Sequence, residues 1–173
     1  MNEVLDCLKT RRSIRSYDER QVPDDVLAMI LEAGTYAPTA MNRQIPVMVV
    51  LRKKEDIEEL EKMNAAVMGR PGSHPFYGAP TVVVVLADAS FGTWVDDGAL
   101  VMGNLMNAAH ALGVGSCWIN RAREEFDSPE GKALLKKWGL SETLRGVGHC
   151  ILGYAKEVPE AKKRKDGYIV YID

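Results

Sequence analysis

The sequence predicts an α+β fold in which a sheet is layered with helices. Thr81-Val82-Val83-Val84-Val85-Leu86-Ala87 is a continuous apolar and largely β-branched run, suited to a central strand. Residues 93–112 set apolar side chains on nearly every side of a helix, which sends that helix through the core. The other runs do not alternate regularly between strand and helix, which disfavours a doubly wound sheet. At 173 residues the chain is predicted to be one domain over 1–173, with no internal repeat or Ser/Gly linker.

Taken in order, Asn2 caps a short helix over residues 3–10, with Val4, Leu5 and Leu8 on one face. A second helix opens at Pro23, carries Asp24 and Asp25 in its first turn and is stopped by Ala37-Pro38. A buried strand at 47–51 and a charged helix at 55–68 follow. A Gly/Pro loop at 69–78 then feeds the central strand. Gly113 ends the long helix. Strands come next at 116–120 and 147–155, with a helix opening at Ser128-Pro129-Glu130 between them. A last strand at Tyr168–Ile172 sits at the chain end, where it must find a partner to pair with.

Composition narrows the classes. Hydrophobic residues at 46% and charged residues at 27% exclude disordered and collagenous chains, and a net charge of -2 makes any anion site local. Cys7, Cys117 and Cys150 are odd in number and far apart, which fits a reducing cytoplasm better than a disulfide framework. The start of the chain lacks a signal-peptide pattern. Asn104, Asn107, His110 and several glycines interrupt the apolar stretch over 99–119, which argues against a membrane span.

Chemistry concentrates in three polar segments. Arg11-Arg12-Ser13-Ile14-Arg15 crowds three guanidinium groups and a hydroxyl into five residues; a solvated turn is the ordinary explanation, an anion grip the functional one. Thr39, Asn42 and Gln44 offer groups suited to a sugar chain or heteroaromatic edge, and Lys162 with Arg164 supply further phosphate-type cations. Gly113-Val114-Gly115 is no dinucleotide fingerprint, because Trp118 occupies the third glycine position and the turn closes a helix rather than opening one. His74, His110 and His149 lack ligand spacing, so no metal site is expected, and His110 reads as a core residue. Cys117 would need a neighbouring His to be a nucleophile, and Asp96-Asp97 complements a helix dipole.

In this order the segments resemble the short flavin-dependent nitroreductases. The resemblance rests on Arg11–Arg15, on Ala37-Pro38-Thr39-Ala40-Met41-Asn42-Arg43-Gln44, and on Phe76-Tyr77-Gly78-Ala79-Pro80 before the central strand. It rests also on Ala108–Ile119, and on Gly153-Tyr154 with the later Lys162/Arg164 pair. It implies a mostly antiparallel sheet of about five strands, the C-terminal one exchanged between protomers of a homodimer with FMN at the interface. Arg11, Arg12, Ser13 and Arg15 would grip phosphate and pyrimidine edge. Pro38, Thr39, Ala40, Met41 and Asn42 would come from the partner. Cys117, Trp118, Ile119 and Asn120 would lie along the isoalloxazine, mainly through backbone groups, and Lys162 and Arg164 would close on the phosphate.

The resemblance further implies that the flavin carries the chemistry, so no side chain serves as acid, base or nucleophile. Arg15 would stabilise the negative charge of reduced flavin. NADH or NADPH would reduce the flavin, and a small acceptor such as a nitroaromatic or quinone would reoxidise it in ping-pong turnover. Neither nucleic acid nor membrane is an expected partner. The chain departs from the family at Gln44-Ile45-Pro46, where a Gln-Pro-aromatic sequence is common. A flavin store or carrier without turnover, and a nucleotide- or RNA-binding surface without flavin, are the rival readings.

Overall fold

The computed structural model describes residues 2–172. Helix α1 spans Glu3–Thr10 and α2 spans Asp24–Thr35; strand β1 (Pro46–Leu51) and helix α3 (Lys54–Val67) follow. Next come β2 (Thr81–Asp88), α4 (Trp94–Ala111) and β3 (Gly115–Ile119), then α5 (Ala122–Asp127), α6 (Pro129–Lys137) and β4 (Leu144–Gly153). The four strands form one sheet in the order β1-β2-β4-β3, and every neighbouring pair is antiparallel.

The valine run behaves as its sequence demands. Val82, Val84 and Leu86 face one apolar cluster with Leu60 of α3, Phe126 of α5 and Leu135 of α6. Val83, Val85 and Ala87 face the other, with Ile30 of α2 and Met102 and Leu105 of α4. Helices therefore cover both sheet faces, so β2 has no polar side to alternate with. Ser128 caps α6 by accepting from the Gly131 amide at 3.0 Å, as the Ser-Pro-Glu pattern requires.

Among the described residues the sheet has four strands where the resemblance implied about five with the last one exchanged, and Tyr168–Ile172, 69–90% exposed, pairs with none of this chain's own strands. A five-residue edge segment with no neighbour gains no ladder hydrogen bonds, whatever its β propensity. Helix α5 went unread because it is a turn and a half long and enters from Arg121 at φ 79°, with no capping side chain. The face of α1 bearing Val4, Leu5 and Leu8 is exposed.

Candidate functional site

The arginine segment is held as an edge extension of the sheet. The Ile14 amide donates to the Ser116 carbonyl at 2.9 Å, and Ser13 bridges Ser116 in parallel. Further on, Tyr17 bridges Ala155, and its buried hydroxyl donates to the Ile14 carbonyl at 2.8 Å. Ile14 and Tyr17 point into the core, which leaves Arg11, Arg12, Ser13 and Arg15 along the free side.

Those four residues line a cavity of about 710 Å³ that Lys162 and Arg164 close from the far end of the chain. Two sets of cations nearly 150 residues apart in sequence thus face one space. Among the described residues, no carboxylate pairs with Arg11, Arg12, Arg15, Lys162 or Arg164. Arg11 Nη1 is buried and has no hydrogen-bond partner. Arg12 is differently employed: its Nη1 donates to the carbonyls of Lys9 and Arg11, both at 2.8 Å, closing the end of α1.

Arg15 also lines a second cavity of about 380 Å³, together with Arg70, Tyr77, Trp118, Ile119 and Asn120. Of the residues 117–120, Trp118, Ile119 and Asn120 line this cavity and Cys117 does not. Cys117 is 1% exposed and turned into the core, and the Trp118 indole lies so close over Gly148 that a Cβ there would meet Nε1 at 2.5 Å. Burial pushes the Cys117 thiol up, against the opposing pull of Arg15, Ser13 and Arg11, so the thiol stays protonated. Burial lowers the pKa of His110, helped by the positive charges of Arg11 and Arg12. This histidine is half-buried and meets Thr10 Oγ1 at 2.9 Å, so it is not the core residue expected of it.

Neither arginine-lined cavity includes any residue of 37–44. That segment lies on a separate cavity, where Thr39 and Gln44 stand beside Gly34, Met48 and Val101. It is built under strain: Met41, Asn42 and Gln44 have φ of 55°, 54° and 52°, a left-handed region that side chains seldom adopt. Two bonds enforce the shape. Gln44 N donates to Thr39 Oγ1, and Ala40 N donates to Asp97 Oδ1, each at 3.0 Å. Asp97 is 3% exposed and so anchors this loop besides sitting in the first turn of α4, a role the sequence did not disclose. Arg70 also went unread, since nothing in the Gly/Pro loop at 69–78 marks which residue will face a cavity.

Among the described residues no cluster of His, Cys, Asp or Glu could hold a metal ion, and no helix is long and apolar enough to cross a membrane.

The Nitroreductase family model matches residues 8–154. A protein of Methanothermobacter thermautotrophicus with the provisional name NADH dehydrogenase/NAD(P)H nitroreductase is 31% identical, over 99% of this chain and 87% of its own. One of the same name from Archaeoglobus fulgidus is 33% identical, over 97% of this chain and 94% of its own. The crystal structure of a nitroreductase with bound FMN from Bacteroides fragilis superposes with a TM-score of 0.92 at 32% identity, covering 100% of both chains. An FMN-bound nitroreductase from Desulfitobacterium hafniense gives 0.90 at 26% identity, again over 100% of both.

Proposed function

This chain belongs to the nitroreductase family, and on that premise we propose that it is an FMN-dependent oxidoreductase passing hydride from NADH or NADPH to a small acceptor such as a nitroaromatic or quinone. The observation that carries this reading is the convergence of unpaired cations on one cavity, with Arg11 Nη1 buried and lacking a partner. A buried guanidinium nitrogen without an acceptor is costly, and a phosphate oxygen is the group that relieves it.

Arg11, Ser13, Lys162 and Arg164 would hold the phosphate of FMN, each charge-assisted bond adding about 1.5–3 kcal/mol. Arg15, exposed and shared by both cavities, would face the pyrimidine edge and stabilise the negative charge that reduction places there. The backbone of residues 118–120, which line the second cavity, would run along the ring. Bound FMN would accept hydride from the dinucleotide and deliver it to the acceptor. Arg12, tied to the end of α1, contributes charge while its position stiffens the segment.

The site is proposed to be completed by a second copy of the chain. The strained 38–42 segment presents Met41 at 83% exposure and touches neither arginine-lined cavity of its own chain, which suits a role at the partner's flavin. Tyr168–Ile172 would add to the partner's sheet. Donor and acceptor then use the same open face in turn, which is ping-pong turnover. The purified protein should be yellow and should bleach within seconds of anaerobic NADH or NADPH. Lasting colour would support the flavin carrier instead, and colourless protein that takes up no FMN would overturn the reading.

A further inference from the structure

We propose that a buried cluster of Asn64, Glu125 and His149 aims two main-chain amides, those of Asn120 and Arg121, at the ring end of the site; this rests on the reading just given. The three side chains come from α3, α5 and β4, and each residue is 0% exposed. Asn64 Nδ2 donates to the Asn120 carbonyl at 2.8 Å and to Glu125 Oε2 at 3.2 Å. His149 Nε2 lies 3.0 Å from that same carboxylate oxygen, out of line for a hydrogen bond, and its Nδ1 lies 3.4 Å from the Ile119 carbonyl.

Peptide geometry turns these contacts into an orientation. The N–H of a trans peptide points opposite to the carbonyl it is bonded to. Along β3 the Ser116 carbonyl faces outward to the Ile14 amide, so strand alternation turns the Ile119 carbonyl inward to β4, where His149 waits. The Asn120 amide therefore points out past the sheet edge, on the side occupied by Arg15. With the Asn120 carbonyl drawn toward Asn64, the Arg121 amide points away from Asn64. Among the described residues neither amide donates to a backbone carbonyl, and Arg121 sits at φ 79°, a conformation that needs enforcing.

Stability alone is a poor reason to keep this cluster. Asn64 Oδ1 and Glu125 Oε1 are buried without partners, and an apolar filling of the same volume would avoid that cost. What polar groups add here is direction: two donors fixed toward the place where charge develops on reduction. Asn64, Glu125 and His149 are thus positioning residues acting through the turn between β3 and α5.

The decisive variant is Asn64→Leu, which keeps the branched shape and removes both donors. FMN affinity should stay within about threefold of wild type, because the phosphate grip is untouched. Preference for reduced over oxidised flavin should fall at least tenfold, a drop of about 30 mV in the two-electron midpoint potential. Amide exchange at Asn120 and Arg121 should accelerate in the same variant, while Glu125→Gln, which keeps an oxygen for Asn64, should leave the potential within threefold. If Asn64→Leu does not fold, Asn64→Ala removes the donors at smaller volume and is judged by the same criteria. Wild-type potential and wild-type amide exchange in the folded donor-less variant would overturn the proposal. Wild-type protein that binds no FMN would defeat the functional reading instead, and the exchange measurement would still decide the orientation of the amides.

Discussion

The Ile14 amide donates to the Ser116 carbonyl at 2.9 Å, and that bond fixes where the arginine segment runs. Gly115 makes the approach possible, since a Cβ there would meet Ile14 Cγ1 at 2.9 Å. Gly115→Ala should therefore push the segment off the sheet edge. Overpacking of this kind costs about 1–3 kcal/mol, to be read by chemical denaturation, and FMN should bind several-fold more weakly by fluorescence titration.

Arg11→Ala and Lys162→Ala should each lower FMN affinity roughly tenfold or more, since one charge-assisted bond is worth about 1.5–3 kcal/mol. Riboflavin, which lacks the phosphate, should bind both variants as it binds wild type. Equal losses for FMN and riboflavin would move these residues away from the phosphate.

Cys117→Ser should retain most of its reductase activity, because the thiol is buried, protonated and turned from the cavity. Burial also pushes the Cys150 thiol up to about 12. In the folded protein an alkylating reagent near pH 8 should consequently modify Cys7 alone, which mass spectrometry would show. Loss of turnover with flavin retained in Cys117→Ser would mean that the thiol takes part.

His110 gives the fold a pH dependence of defined sign. Its folded pKa lies below the ordinary 6.5, through burial first and then Arg11 and Arg12. The stability this group permits is complete above pH 6.5 and declines as the pH falls from there through the folded value, because the unfolded chain takes the proton more readily. His110→Gln should flatten the stability profile over that window. Inorganic phosphate should raise the His110 pKa in an NMR titration by offsetting the two arginines.

Deleting residues 168–173 should convert a dimer to a monomer in analytical ultracentrifugation and reduce flavin retention with it. A truncated chain that remains dimeric would show that the terminal segment does not hold the protomers together.

Much of the fold could be read along the chain because its signals are local. The valine run, the all-round apolar helix over 94–111 and the Ser128-Pro129 cap each act within a few residues. The site was legible as chemistry but not as geometry. Sequence named Arg11–Arg15 and Lys162/Arg164 as cations, and only the folded chain puts them on one cavity. It could not show that Arg12 is spent on closing α1, nor that Cys117 is turned into the core. The Asn64, Glu125 and His149 cluster was invisible because its partners are brought together by three separate elements.

The exposed end of the chain has a meaning for biogenesis. Tyr168-Ile169-Val170-Tyr171-Ile172 has no charge and no proline, and each residue is 69–90% exposed. Such a segment is a template for intermolecular β pairing of any kind. In the dimer proposed above, pairing of this segment with a second copy would compete with precipitation of newly made chains, and slower synthesis would favour recovery of usable protein.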